Sequence, residues 1–441
     1  MKFEDLNLIS QLQQALADEG YEAPTPIQQQ AIPIIIDGKD LVGCAQTGTG
    51  KTAAFAIPII NNLHPIVGAA KKVKYIRTLV VTPTRELALQ IATNFDAYAK
   101  YTNIRTLTIF GGVNQNPQVD QLKKGVDVLV ATPGRLLDLH KQGFINLDHM
   151  HHLVLDEADQ MLDMGFINDV KKIIKLTPDN RQTLLFSATM PLPIRELADS
   201  FLTKPEYVSV TPISSTAEKV KQHMYLVGKE DKRKLLYHLI RNENLNNVLI
   251  FTRTKHGADN VVKALKKHGV ESGAIHGDKS QSARQRVLDA FKNKEIPALV
   301  ATDIAARGID IESLPYVINF DLPNIPETYV HRIGRTGRAG NSGLAISFCG
   351  RDELPYLKDI EKLIGQKIKV IDGHPYPYSD EVKPEGAKPD FRNKKKNPNN
   401  NKPGGGSVSN NNSGARSGKS KPGNSNSRKS AESKKNKKRW Y

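Results

Sequence analysis

Asp156, Glu157 and Asp159 stand directly behind the apolar run Leu153-Val154-Leu155. Carboxylates at the end of a buried strand are costly unless positive charge or donors are held against them. Two adjacent acids in that position suit a magnesium ion carried by phosphate oxygens. Asp156 would orient the metal, largely through water, and Glu157 would act as general base on an attacking water. Asp159 would bind a neighbouring polar group and couple this site to another loop. The phosphates have a candidate cradle upstream, where residues 45–52 read Ala-Gln-Thr-Gly-Thr-Gly-Lys-Thr. Gly50, Lys51 and Thr52 fit the end of the template G-x-x-x-x-G-K-[ST], and Ala45 departs from its first position. Gly48 and Gly50 let backbone N–H groups turn towards phosphate oxygens, as the N-terminus of a following helix also does. Lys51 would reach the β- and γ-phosphates, and the Thr52 hydroxyl would ligate the magnesium ion.

A third stretch, residues 331–338, sets Arg332, Arg335 and Arg338 among glycines. Guanidinium groups so placed can stabilise the charge of a transferring phosphoryl group. Further Thr-, Gly- and Arg-containing stretches fall where strands should end: 82–87, 111–112, 132–135, 187–189, 281–284 and 301–310. In open α/β sheets ligands bind beyond the carboxyl ends of strands. These residue types there suit sugar–phosphate contacts that ignore base identity.

The elements that must hold these residues are legible as periodicity. Short β-branched runs alternate with helical patterns, first in residues 40–189 and again in a second series from 223 to 348. That alternation predicts βαβ units and parallel sheets, hence two α/β domains in tandem. Small polar residues around 209–220 mark a break between the series. At 39% hydrophobic residues the 441-residue chain can build sizeable cores. The net charge of +17 is concentrated at one end, since residues 391–441 carry 15 Lys/Arg and a single acid, Glu432. That Asn-, Gly-, Ser- and Lys-rich segment cannot bury enough apolar surface to offset its ordering entropy, and is expected to be disordered. Its charge suits a polyanionic partner. Two distant cysteines, Cys44 and Cys349, offer no disulfide framework. A cytoplasmic protein is expected, with no apolar segment long enough for a bilayer.

The order of these stretches closely resembles the DEAD-box RNA helicases of superfamily 2, over about residues 1–370. Phe3 and the segment Gly20–Gln28 are similar to that family's adenine-recognising Q motif, assigned here to residues 1–29. The resemblance implies an α/β protein with two tandem RecA-like parallel-sheet domains, 1–208 and 219–372, a linker over 209–218, and a disordered basic C-terminal tail over 375–441. It implies that ATP and Mg²⁺ are bound by Tyr21, Gln28, Ala45, Gln46, Thr47, Gly48, Thr49, Gly50, Lys51 and Thr52, with Gly308 and Asp310 near the ribose. Ala45 is usual for the family. Arg335 and Arg338 would be the arginine fingers. Asp159, Ser187, Thr189, His331 and Arg332 would couple the ATP site to RNA and to the other domain. Arg85, Gly112, Thr132, Arg135, Gln281, Arg284 and Thr302 would line the RNA path. The N-terminal segment resembles the bacterial RhlE-like branch.

The implied activity is an RNA-stimulated ATPase that parts short duplexes locally or remodels RNA–protein complexes, with ribosomal or RNA-decay partners. An ATP-gated RNA clamp fits the same motifs, whereas the Q motif and the DEAD sequence argue against a DNA-directed helicase. An ATP-gated RNA clamp would retain RNA without strand displacement. A DNA-directed helicase would be stimulated by DNA.

Overall fold

The computed structural model describes residues 1–46, 48–69, 75–210, 220–306, 311, 314–337 and 343–377. Its frame is two seven-stranded sheets, and every strand pairing within them is parallel. The first contains β1 (Leu41–Ala45), β2 (Thr78–Val81), β3 (Thr106–Ile109), β4 (Val128–Ala131), β5 (His152–Leu155), β6 (Gln182–Ser187) and β7 (Glu206–Val210). They lie in the order β3-β4-β2-β5-β6-β1-β7. The second contains β8 (Lys221–Leu226), β9 (Val248–Thr252), β10 (Ser272–Ile275), β11 (Ala298–Thr302), β12 (Tyr316–Asn319), β13 (Leu344–Cys349) and β14 (Lys369–Val370). Its order, β10-β11-β9-β12-β13-β8-β14, repeats the first sheet strand for strand.

Side chains alternate between the two faces of each sheet, and both faces are covered by helices. Val80, Val128, Val130, Val154 and Leu184 enter one core, shared with Phe55 and Phe95. Their neighbours Leu79, Val81, Leu129, Leu153, Leu155 and Leu185 enter the other. In the second lobe Val248, Ile250 and Val300 face one core, and Leu249, Phe251 and Leu299 the opposite one. Continuous apolar runs are therefore required, because a strand covered on both faces has no solvent side.

Helices start where the strands stop, and short polar side chains mark the starts. Thr84 accepts from Leu87 N–H at 3.3 Å, Thr254 from Gly257 N–H at 3.0 Å and Ser280 from Ala283 N–H at 3.3 Å. Each satisfies one of the orphan donors of a first helical turn. Since all strands run the same way, these capped ends gather on one side of each sheet. That is the side carrying the candidate site.

Two boundaries differ from the sequence expectation. Ser209 and Val210, assigned to the linker, pair with Cys44 and Ala45 in the last strand of the first sheet. Glu206 and Tyr207 of that edge strand are exposed, so its pattern lacks the apolar continuity of the central strands. In the second lobe, chain past the expected end at 372 still packs: Tyr376 lies against the core, and Pro377 forms an antiparallel bridge with Val227. Residues 211–219 of the linker region and the tail from 378 lie outside the described residues. Among the described residues no helix is long and apolar enough to cross a membrane.

Candidate active site at the seam of the two lobes

The phosphate loop leaves β1 at the buried Ala45 and leads into the helix Lys51–Ala69. Gly48 and Gly50 both have positive φ, 82° and 92°. At Gly50 there is a second reason for glycine: a Cβ would run into the Gln28 amide. The loop is stitched by Thr49, whose hydroxyl donates to Gln46 C=O at 2.7 Å. It is held from outside by two residues of the N-terminal segment. Thr25 Oγ1 donates to Thr49 C=O at 2.8 Å, and Gln28 Nε2 donates to Gly50 C=O at 3.2 Å. Gln28 Oε1 in turn accepts from Thr25 N–H at 2.9 Å. Gln28, expected at the adenine edge, thus also braces the loop, and its amide keeps a second N–H for a ligand. Tyr21 stands on Tyr98, their hydroxyls 2.6 Å apart, and its ring packs edge-on against Phe3. Thr52 is half-buried in the first turn of the helix. Thr47 lies outside the described residues.

Asp156 and Glu157 end β5 and are each about 2% exposed. Glu157 has φ 54° and ψ 52°, in the left-handed region. A non-glycine residue there is uncommon and costs about 1–3 kcal/mol, so the surrounding structure must enforce it. The enforcement is visible: Glu157 Oε1 accepts from Lys51 Nζ and Oε2 from Gln160 Nε2, both at 2.9 Å. Its own N–H donates to Asp156 Oδ1 at 3.0 Å.

Burial pushes the Asp156 carboxyl up, and the adjacent Glu157 carboxylate adds to it. Burial acts on Glu157 in the same sense, but the Lys51 ammonium outweighs it and holds Glu157 below its usual range, helped by His331 and Arg335. Burial likewise pulls Lys51 down, and the carboxylates of Glu157 and Asp156 reverse it, so the ammonium stays charged. Asp156 is the acid left short of a cation.

Asp159 ties the segment after β5 to the end of β6 and the residues that follow it. Its N–H donates to Ser187 Oγ at 3.1 Å, and its Oδ2 accepts from both Thr189 N–H and Thr189 Oγ1 at 2.8 Å.

From the second lobe, the helix Pro326–Ile333 and the turn after it bring His331, Arg332 and Arg335 to the seam. With Gln160 and Phe251 they line a cavity of about 20 Å³, room for a single water. Arg335 is 6% exposed and acts electrostatically on Glu157. Arg332 does something different. Its guanidinium meets Asp303 at 2.5 and 2.8 Å, Asn319 Oδ1 at 3.1 Å and Asp321 C=O at 2.7 Å, over the face of Phe251. These four hydrogen bonds stay within the second lobe. Any coupling through Arg332 is therefore indirect, by fixing Asp303 at the start of the segment that leads to 307–310. Replacing Arg332 by Met is expected to lower the stability of the second lobe by about 3 kcal/mol, because Asp303 loses its partner. Thermal unfolding should show a lowered Tm. Arg338, Gly308 and Asp310 lie outside the described residues.

Of the residues expected along an RNA path, Arg85, Thr132, Arg135 and Arg284 line a groove of about 350 Å³ between the lobes, with Gly111 among others. Gly112 adjoins it at φ +75°, where a Cβ would collide with the Arg85 guanidinium. Arg135 donates to Val113 C=O at 3.0 Å. Thr302 ends β11, half-buried beside Thr252. Gln281 and Arg284 are engaged across the seam, while Gln281 Oε1 and Arg284 Nε are buried without a hydrogen-bond partner. Gln281 Nε2 donates to Glu86 Oε1 at 2.9 Å, and Arg284 Nη2 is 3.0 Å from the same oxygen. Glu86, Thr25 and Gln160 were not anticipated. Glu86 is an acid inside a basic-looking stretch, and Thr25 a helix-capping residue. Gln160 alone carried a signal, its closeness to the acids.

This arrangement defines a tandem RecA-like α/β protein with a composite site: loop and acids from one lobe, His331 and Arg335 from the other. Residues 25–197 match the DEAD/DEAH box helicase model and residues 231–340 the helicase conserved C-terminal domain. The chain belongs to the DEAD-box helicase family. It is 44% identical over 363 residues to the ATP-dependent RNA helicase CshA of Limosilactobacillus reuteri, covering 82% of this chain and 72% of that protein. It is also 44% identical to the ATP-dependent RNA helicase RhlB of Pseudomonas syringae pv. tomato, over 83% and 94% of the two chains. These relatives bear the names CshA and RhlB, not RhlE. The fold is similar to S. cerevisiae Dbp5 bound to RNA and ADP BeF3, with TM-score 0.75, 30% identity, and 84% and 95% of the chains covered.

Proposed function

We propose that this protein is an RNA-stimulated ATPase that closes its two lobes on ATP and RNA and thereby parts short RNA duplexes or remodels RNA–protein complexes. One observation carries the reading: Glu157, anchored by Lys51 in the first lobe, lies in the field of His331 and Arg335 from the second. In this reading Lys51 holds the β- and γ-phosphates and Gln28 and Tyr21 receive the base. Glu157 takes the proton of the attacking water, and Arg335, with Arg338, stabilises charge on the transferring phosphoryl group. Asp159, bound to Ser187 and Thr189, carries the state of the ATP site to neighbouring strand ends.

Asp156 and Thr52 would hold a magnesium ion, which supplies charge neutralisation on the phosphates when bound. The donors fit, being hard oxygens with one carboxylate whose burial leaves it in need of a cation. Among the described residues no three His, Cys, Asp or Glu are grouped to hold a metal by themselves, as befits an ion whose remaining ligands are phosphate and water.

The domains proposed are 1–208 and 219–372, adjusted for the strand ends given above. The free cysteines Cys44 and Cys349 support a reducing, cytoplasmic setting, where ribosomal or RNA-decay assemblies would be the partners. Hydrolysis removes the γ-phosphoryl group that both lobes grip, and the seam opens, an order of events that makes the site a switch. Displacement of a short RNA strand with ATP tests this. No displacement with ATP, or equal stimulation by DNA, would overturn it.

The cationic segment 391–441 is proposed as a sequence-tolerant RNA anchor. Its deletion should flatten the log–log salt dependence of RNA affinity by about 0.7 for each phosphate it neutralises. A titration across salt concentrations reads this directly, and an unchanged slope would reduce the segment to a spacer.

A further inference from the structure

Because the two sheets share one strand order, their strand ends can be compared position by position. In the first lobe Lys51 opens a helix six residues past Ala45, the end of β1, and Glu157 stands two residues past Leu155, the end of β5. In the second lobe Lys232 opens the helix Lys232–Asn242 six residues past Leu226, the end of β8, and Asp321 stands two residues past Asn319, the end of β12. Each lysine meets its acid: Lys51 Nζ is 2.9 Å from Glu157, and Lys232 Nζ is 3.4 Å from Asp321. Lys232 is buried, as Lys51 is. The lysine–acid pair of the phosphate site is thus repeated in the second lobe.

The second lobe adds an anion of its own. Glu353, 2% exposed, ends the short helical turn Arg351–Glu353 that follows β13. Its Oε2 accepts from Lys232 Nζ at 2.6 Å and from Gly350 N–H at 3.0 Å. Its Oε1 accepts from Arg253 Nη2 at 2.9 Å and from Leu322 N–H at 3.1 Å. An ammonium, a guanidinium and two backbone N–H groups make a donor set suited to an oxyanion. A glutamate that only capped its own turn would need Gly350 N–H alone. The other three donors come from the segments after β8, β9 and β12.

We infer that the second lobe carries a site for one small oxyanion, the counterpart of the first lobe's phosphate site, and that the Glu353 carboxylate is its resident occupant. The ligand class is an anion the size of a carboxylate or inorganic phosphate. A triphosphate chain would meet Glu230 and Asp231, which stand before Lys232 at the places of Thr49 and Gly50. The parallel with phosphate rests on the reading of Lys51 as a phosphate ligand, whereas the four donors around Glu353 stand without it. A built-in anion holds these strand ends together whether or not nucleotide is bound. The turn it braces is the one on which Arg332 rests, through Asp321 C=O at 2.7 Å.

The test is thermal unfolding of the full chain. Glu353→Gln keeps the shape and one acceptor oxygen but removes the charge, and should lower Tm by about 5–10 °C because the buried Lys232 loses its anion. Glu353→Ala also vacates space. Its Tm should fall in chloride buffer and recover in part, by mass action, with acetate, formate or inorganic phosphate at constant ionic strength. Wild type, its site filled, sets the background response. Adding Lys232→Met to Glu353→Ala should abolish the recovery. If Glu353→Ala is unfolded in chloride, the same anions should restore a cooperative transition. Wild-type Tm in Glu353→Gln overturns the site. So does a response of Glu353→Ala no larger than that of wild type, or a recovery that survives Lys232→Met. Wild-type ATP affinity in Lys51→Met would instead remove the first-lobe phosphate assignment, a separate failure.

Discussion

Glu157→Gln should bind ATP and RNA and yet hardly turn over. The substitution keeps shape, burial and the left-handed backbone, and removes the negative charge together with the capacity to accept a proton. Loss of a positioned general base costs roughly 10²–10⁴ in rate. Binding should survive because Lys51 exchanges its carboxylate partner for phosphate in the ATP complex. Asp156, 2% exposed, stays beside it as an anion or as a metal ligand. The ATP-free variant should be somewhat less stable than wild type, since the buried Lys51 ammonium loses the carboxylate 2.9 Å away. The checks are steady-state phosphate release and ATP-dependent retention of a labelled RNA. A complex that forms and persists, with phosphate release down by two orders of magnitude or more, is the expected result. Turnover within a few-fold of wild type would place the base elsewhere.

The other large effect belongs to the opposite lobe. Arg335→Ala should lower kcat by roughly 10³–10⁵, the range over which arginine fingers act, with little change in Tm. The contrast with Arg332 makes this sharp, because two arginines three residues apart are given opposite jobs by their surroundings. Arg332 points back into its own lobe and meets Asp303, Asn319 and Asp321. Arg335 sits past the end of the helix, lines the seam cavity and reaches Glu157 through its field. Substitution of Arg332 should therefore register first in thermal unfolding, and substitution of Arg335 in single-turnover hydrolysis with the fold intact. If Arg335→Ala unfolds the second lobe, or leaves the single-turnover rate unchanged, the division of labour is wrong.

Much of this site is readable without coordinates because its parts are local. A phosphate loop needs glycine, lysine and threonine within a few residues, and a metal-orienting acid needs a strand directly before it. Both demands fall on consecutive positions. The buried strands are readable for a related reason, as sheets covered on both faces admit only apolar runs. Glu86 shows where such reading stops. It sits between Arg85 and Leu87 in a stretch that looks like a basic contact, yet it pairs with Gln281, 195 positions away. Nothing local distinguishes it. The edge strands β7 and β14 escape for the opposite reason, since short, partly exposed strands lack the apolar continuity that identifies their neighbours.

By itself the amino-acid sequence determined the tandem α/β plan, the chemical character of the loop and acids, and the placement of nearly all excess positive charge beyond residue 390. These follow from periodicity, residue type and composition, which are properties of the chain. Only the tertiary structure decided the strand order, the sharing of Glu157 between Lys51 and Gln160, and the turning of Arg332 inward while Arg335 meets the seam. Those depend on which distant groups are desolvated together. A charged or polar side chain settles wherever its lost hydration is best replaced, and that place is set by the packed neighbours around it, not by its position along the chain.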